Sequence, residues 1–306
     1  MYLIKVADRY GYINAQGEMV IEPMYKNARD FNEGLAYVQT FDDVKGYINL
    51  ANEMIIQLNA EYYGAFKYGL ARVTLNGLDG CIDMKGQVVL NPQFERVNGV
   101  NPDRTIVVKQ NGKMGLMNLD GKFVIEPEWD YLHTFTEGLA LIRQKNKVGF
   151  INEQGNIVID SQFSDAFCFS EGMAEASLDG EYYGFIDYSG KFVIEPTYYQ
   201  VKEYKEGLAG FRLKTGGKWG YINTSGEVVI KNKFQFVGPF QEGLAVVENR
   251  DRGGYINKQG KYVVKNVLSS TTDFQNGLGR VNYNGEWGYV NKQGQWVYKP
   301  KSFDLW

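Results

Sequence analysis

Short apolar runs, separated by Gly- and Asn-centred turns, follow one another along the whole chain. One kind of run is built around a glycine, as in Tyr10-Gly11-Tyr12-Ile13. It is followed by a turn and then by a β-branched run such as Val228-Val229-Ile230. A third kind precedes both, as in Leu35-Ala36-Tyr37-Val38 and Leu244-Ala245-Val246-Val247. Runs this short, rich in Val, Ile, Tyr and Phe and bounded by turn residues, predict β-strands.

The pattern is periodic. A marker glycine recurs at Gly11, Gly46, Gly80, Gly115, Gly149, Gly184, Gly220, Gly254 and Gly288, at gaps of 34 to 36 residues. Three residues on stands Asn or Asp every time, from Asn14 to Asn291. Three further on stands Gly in eight copies and Asn52 in the ninth. An Asn or Asp that opens a type I turn can accept a hydrogen bond from the backbone two residues on. The fourth position then needs positive φ, which Gly adopts without steric cost and Asn tolerates best among the others. Each unit of about 34 residues is therefore predicted to be a three-stranded antiparallel meander. Between units lies a stretch like Pro23-Met24-Tyr25 to Phe31-Asn32-Glu33-Gly34, either irregular or carrying a short fourth strand. The nine units fill residues 1–298 as a single domain, and residues 299–306 form a C-terminal tail.

The segments Lys218-Trp219-Gly220-Tyr221-Ile222-Asn223 and Glu286-Trp287-Gly288-Tyr289-Val290-Asn291, with the recurrent Phe-x-Glu-Gly-Leu-Ala linker, resemble the WG repeat (WG β-repeat) of bacterial proteins. The resemblance covers essentially the whole chain. Trp precedes the marker glycine only at Trp219 and Trp287; Tyr10, Lys45, Asp79, Met114, Val148, Tyr183 and Gly253 stand there in the other units. The resemblance implies a repeat scaffold and supplies no catalytic residues.

A three-stranded meander cannot bury both faces alone, so neighbouring units must supply the core. Either a β-propeller-like closed ring or an open β superhelix would do so. An open array needs polar capping units. Here Tyr2, Leu3 and Ile4 open the chain, and Trp296, Val297 and Tyr298 stand near its end. The closed ring is the favoured expectation.

Composition narrows the function. Net charge is −3 and the longest basic clusters are short, such as Lys299 to Lys301, so nucleic acid is not an expected partner. No apolar run approaches a membrane span, and no charged and apolar leader precedes the first unit. The two cysteines, Cys81 and Cys168, occupy different repeat positions, which argues against a disulfide framework and a thiolate metal site. A cytoplasmic protein without cofactor or metal is expected.

A residue present in every unit serves the unit, so asymmetric positions are the better functional candidates. The recurrent Glu33, Glu137, Glu171, Glu206 and Glu242 could form acid–base pairs, but carboxylates that accept backbone N–H bonds at a turn explain their recurrence. His133, the single histidine, aligns with Arg29 in a variable linker position and lacks an evident triad partner. Cys81 replaces the usual aromatic after the marker glycine and is expected in the core. Cys168, between Phe167 and Phe169, is expected to be packed. Lys214 to Gly220 is Gly-rich, yet it reads as a hairpin turn and not as a phosphate loop. The true departures are three linkers: 59–69, where Tyr68 replaces the recurrent Glu; 95–108, which lacks the Glu-Gly-Leu-Ala motif; and 266–277. One variable linker position carries Tyr62, Tyr131 and Phe236. These aromatics, with His133, are the candidate binding residues. The expected function is non-catalytic: a binding or scaffolding module for a protein or peptide. The alternatives are binding of a glycan or small molecule and, less favoured, a hydrolase using carboxylates at a propeller mouth.

Overall fold

A computed structural model of the chain describes residues 1–250 and 252–299. Residues 300–306, most of the expected tail, lie outside the described residues. The described residues form nine antiparallel sheets, here blades 1 to 9, spanning 2–25, 27–57, 62–94, 96–129, 131–163, 165–198, 200–234, 236–268 and 270–298. The fold is a nine-bladed β-propeller without helices among the described residues. The chain divides into two compact units, residues 1–161 and 162–306.

Blade 1 is the three-stranded meander expected from the repeat, and the other eight have four strands. The added first strand comes from the linker. In five blades it pairs over only two residues: Asn27–Ala28, Tyr62–Tyr63, Tyr131–Leu132, Asp165–Ala166 and Gln200–Val201. The chain then leaves the ladder and rejoins it at one bridge, such as Asn32 with Leu35. A two-residue pairing is too short to leave an alternating pattern, so in these five blades the sequence leaves an irregular linker and a short fourth strand equally open, and the structure shows the strand.

The turn chemistry follows the sequence. Asn14 Oδ1 accepts N–H bonds from Gln16 and Glu18, both at 2.9 Å, and Gly17 N–H donates to Asn14 O at 3.1 Å. Asn52 takes the left-handed conformation (φ 65°) where other units have glycine. The marker glycine has a different cause. The last strand of the blade bulges across it, so that Tyr10 pairs Tyr25 while Tyr12 pairs Ile21. A Cβ on Gly11 would lie 2.5 Å from the Ile21 carbonyl oxygen. No side chain fits under that bulge.

Within each of the two compact units the core lies between consecutive blades. In unit 1, Tyr12, Ile21 and Tyr25 of blade 1 pack on Ala28, Ala36, Val38 and Ile48 of blade 2. Tyr37, Tyr47 and Ile56 of blade 2 repeat the arrangement on Tyr63, Phe66, Ala71 and Val73 of blade 3. In unit 2, Tyr221, Ile230 and Phe234 of blade 7 pack on Val237, Phe240, Ala245 and Val247 of blade 8. The buried tyrosines also bond across the interface. Their hydroxyls donate to the linker carbonyl 17 residues on: Tyr12 to Arg29 (2.7 Å), Tyr47 to Gly64 (2.6 Å), Tyr221 to Gly238 (2.7 Å) and Tyr255 to Thr272 (2.6 Å). Each polar tip is thereby satisfied inside an apolar layer.

Candidate functional site

The recurrent linker glutamates sit at the first central position of a two-residue hairpin, followed by Gly. Both residues have positive φ, 50° for Glu33 and 85° for Gly34. The carboxylates of Glu33, Glu171, Glu206 and Glu242 accept backbone N–H bonds at a turn, and the turn belongs to the following blade. Glu33 accepts from Tyr68 N–H at 2.7 Å and Gly69 N–H at 2.8 Å. Glu171 does the same to Glu206 (2.5 Å) and Gly207 (2.8 Å). Glu206 and Glu242 reach Gly243 and Gly277, each at 3.0 Å. Lys258 lies 3.1 Å from Glu206, and Lys292 lies 2.8 Å from Glu242, where it holds the Glu242 carboxyl below its ordinary pKa. These carboxylates form a ladder from hairpin to hairpin.

The ladder stops at blade 3. Tyr68 stands there in place of Glu, in the same left-handed conformation (φ 53°). Blade 4 carries Asn101 to Thr105 at the matching turn, closed on itself by Arg104 N–H to Asn101 O at 2.8 Å. The buried Asn101 side chain takes up the tie to blade 5, accepting from Phe135 N–H at 2.8 Å.

A cleft of about 270 Å³ opens at this break, lined by the divergent linkers of blades 3 and 4. Leu70, Val97 and Val100 are buried there, while Tyr62, Ala65 and Lys67 are exposed. Arg72 and Asp79 span adjacent strands of blade 3 at 3.5 Å. The buried Asp79 also accepts from Thr74 Oγ1 (2.7 Å) and from Val97 N–H of blade 4 (2.9 Å). Arg72 donates to Val97 O at 3.3 Å.

The aromatic candidates occupy equivalent places on the first strands of their blades, Tyr62 in blade 3, Tyr131 in blade 5 and Phe236 in blade 8. Each is more than a third exposed. Two carry a cation from the preceding blade: Arg29 lies 5.3 Å from the Tyr62 ring centroid, and Lys202 lies 4.1 Å from that of Phe236. Arg72 adds a second guanidinium, 4.2 Å from the Tyr62 centroid. His133 is half-buried, with its ring 6.3 Å from Tyr131 and its Nδ1 3.2 Å from Thr134 Oγ1. Tyr131 and His133 thus stand together, whereas Tyr62 and Phe236 each stand in another blade. Arg72 and Asp79 had a sequence signal: they replace the usual apolar residue of the Leu-Ala-x-Val run and the Trp-type residue before the marker glycine.

Cys81 is fully buried beside this cluster, and burial pushes its thiol up to about 12. Cys168 is half-buried, as its Phe neighbours suggested. In blade 6, Glu175 fills the same repeat position as Arg72. It is 5 % exposed, and burial, with Glu203 and Asp165 nearby, raises its pKa to about 8 against the opposing pull of Lys202. Among the described residues, no group of three or more His, Cys, Asp or Glu side chains could hold a metal ion. Among the described residues, no helix is long and apolar enough to cross a membrane.

Solved structures share the fold at low identity. A structure described as the eukaryotic initiation factor is 11% identical, with a TM-score of 0.62 over 98% of both chains. Dihydro-heme d1 dehydrogenase NirN in complex with DHE is also 11% identical, with a TM-score of 0.51 over 88% of this chain and 73% of that one. At these identities the likeness shows the fold alone. No curated protein matches the chain. The model of the WG containing repeat matches residues 10–40, 46–78, 80–113, 114–147, 149–182, 183–219, 219–252, 254–287 and 287–302. Nine consecutive matches that tile the blades place this chain in the WG containing repeat family.

Proposed function

We propose that the chain is a non-catalytic binding or scaffolding module for a protein or peptide partner. One observation carries this reading: two of the three linkers that depart from the repeat line a single cleft, at the place where the carboxylate ladder stops. In a repetitive array, specificity requires a place where symmetry is broken, and repeat arrays offer extended surfaces for partners. The recurrent glutamates support the non-catalytic side. Glu33, Glu171, Glu206 and Glu242 spend their oxygens on backbone N–H groups, which suits tying blades together better than proton transfer. The placement of Cys81 and Cys168 in different blades supports a reducing, cytoplasmic setting.

The test uses the full chain as bait and then a purified, reconstituted partner. A saturable complex that protects residues 62–72 and 96–100 from hydrogen exchange is the expected result. Saturable turnover of a substrate, with no partner forming a complex, would overturn the reading.

A further inference from the structure

The cleft between blades 3 and 4 combines an exposed apolar wall with a cationic rim. Tyr62 and Ala65 expose apolar surface there, over Leu70, Val97 and Val100, which are buried in the core between the two blades. Lys67 and Arg72 stand at the rim, where the Arg72 side chain retains 28% exposure. The chain as a whole is acidic, with a net charge of −3, so this is a local reversal of sign.

Two carboxylates stand close by, and both are already engaged. Asp79 is held by Thr74 Oγ1, Val97 N–H and Arg72. Glu33 spends one oxygen on Tyr68 N–H and the other on Gly69 N–H. The known contacts of the Arg72 guanidinium run through Nη1, and the group carries five N–H donors.

We propose that this cleft binds an acidic side chain of a peptide partner, its carboxylate paired with Lys67 and Arg72 and its methylene stem laid against the apolar wall of Tyr62 and Ala65. This rests on the binding-module reading. An anion suits the site better than a sugar, because the ring of Tyr62 already carries two guanidiniums, at 5.3 Å and 4.2 Å. A carboxylate on an apolar stem suits it better than a free phosphate, because a phosphate makes no use of the apolar wall. The volume of about 270 Å³ accommodates a side chain rather than a folded surface.

The test probes the full chain with immobilised decapeptides. Each carries a fixed Glu, Gln or Lys at the centre, with randomised flanks. Glu-centred peptides are expected to bind at least ~10-fold more tightly than Gln-centred ones, since a charge-assisted pair is replaced by a neutral one. Lys67→Glu is expected to remove that difference. The substitution is at an exposed position, and unchanged thermal unfolding would show that the fold is intact. Lys191→Glu, on the exposed turn of blade 6, is expected to leave the difference unchanged. Equal binding of Glu- and Gln-centred peptides overturns the proposal, and so does a preference that survives Lys67→Glu. If peptides bind regardless of the central residue, this site fails while the binding-module reading stands. If neither peptides nor a protein partner bind, both fail.

Discussion

The carboxylate of Glu33 in blade 2 lies 2.7 Å from the backbone nitrogen of Tyr68 in blade 3, 35 residues on. Glu33 holds a left-handed conformation (φ 50°) that Asn or Gly adopts more readily in a two-residue hairpin. The local turn therefore disfavours the residue that the neighbouring blade requires. Glu is long enough to cover the two N–H groups of the next hairpin.

Glu33→Asn separates these two demands. The turn gains in local preference, but the side chain is one methylene shorter and loses the bonds to Tyr68 and Gly69. The expected net result is a loss of about 1 kcal/mol, modest because the site is solvent-exposed. Urea unfolding measures it. A variant as stable as the parent would mean that the ladder contributes nothing to stability.

Two classes of glycine predict two sizes of effect. In Gly220→Ala the new Cβ would meet the Ile230 carbonyl oxygen at 2.4 Å, so the bulged strand must move. In Gly207→Ala there is nothing within 4 Å, and only the positive φ of 81° is strained. Losses of about 3 kcal/mol and about 1 kcal/mol are expected, respectively, from denaturant midpoints. The reverse order would contradict the bulge as the reason for the marker glycine.

Tyr221→Phe removes a hydroxyl that donates to Gly238 O at 2.7 Å inside the interface of blades 7 and 8. The carbonyl is left without its donor, at a cost of about 1–2 kcal/mol. Hydrogen exchange of the blade 8 linker should quicken in the variant. Phe150 and Phe185, at the same repeat position, indicate that the ring itself still packs.

Glu175 makes stability depend on pH. Its folded pKa of about 8 lies above the ordinary carboxylate value, so the folded state binds the proton more tightly than the unfolded chain. Its contribution is fully present below the ordinary carboxylate pKa, falls as pH rises toward 8, and is flat beyond. Glu175→Gln should remove this dependence and raise stability at pH 9 by ~4 kcal/mol. The check is chemical unfolding of both proteins at pH 5 and pH 9. Parallel behaviour at the two pH values would refute the assignment to Glu175.

Much of the fold is legible because the repeat isolates it. Asn14, Gly17 and Gly11 recur at fixed offsets, and each offset has a local cause: an Asx turn, a left-handed residue and a bulge. Two-residue first strands, such as Tyr62–Tyr63, leave no such pattern, so the linker reads as irregular or as a short fourth strand, and the structure shows four strands in eight blades. The candidate site is legible only in part. Tyr62 and the divergent linkers stand out from the repeat, whereas Lys67 and Arg72 become a site only through their grouping around one cleft.

The sequence by itself determines the nine units and their turns, because these depend on contacts within about 34 residues. Which side chains bridge successive units is decided by the tertiary structure alone. Glu33 reads as a turn carboxylate in any single unit, and only the stacking of blade 3 on blade 2 brings Tyr68 N–H within its reach. For the same reason the loss of Glu at Tyr68 reads as one substitution in the sequence, while in the folded chain it marks the break where a cleft opens.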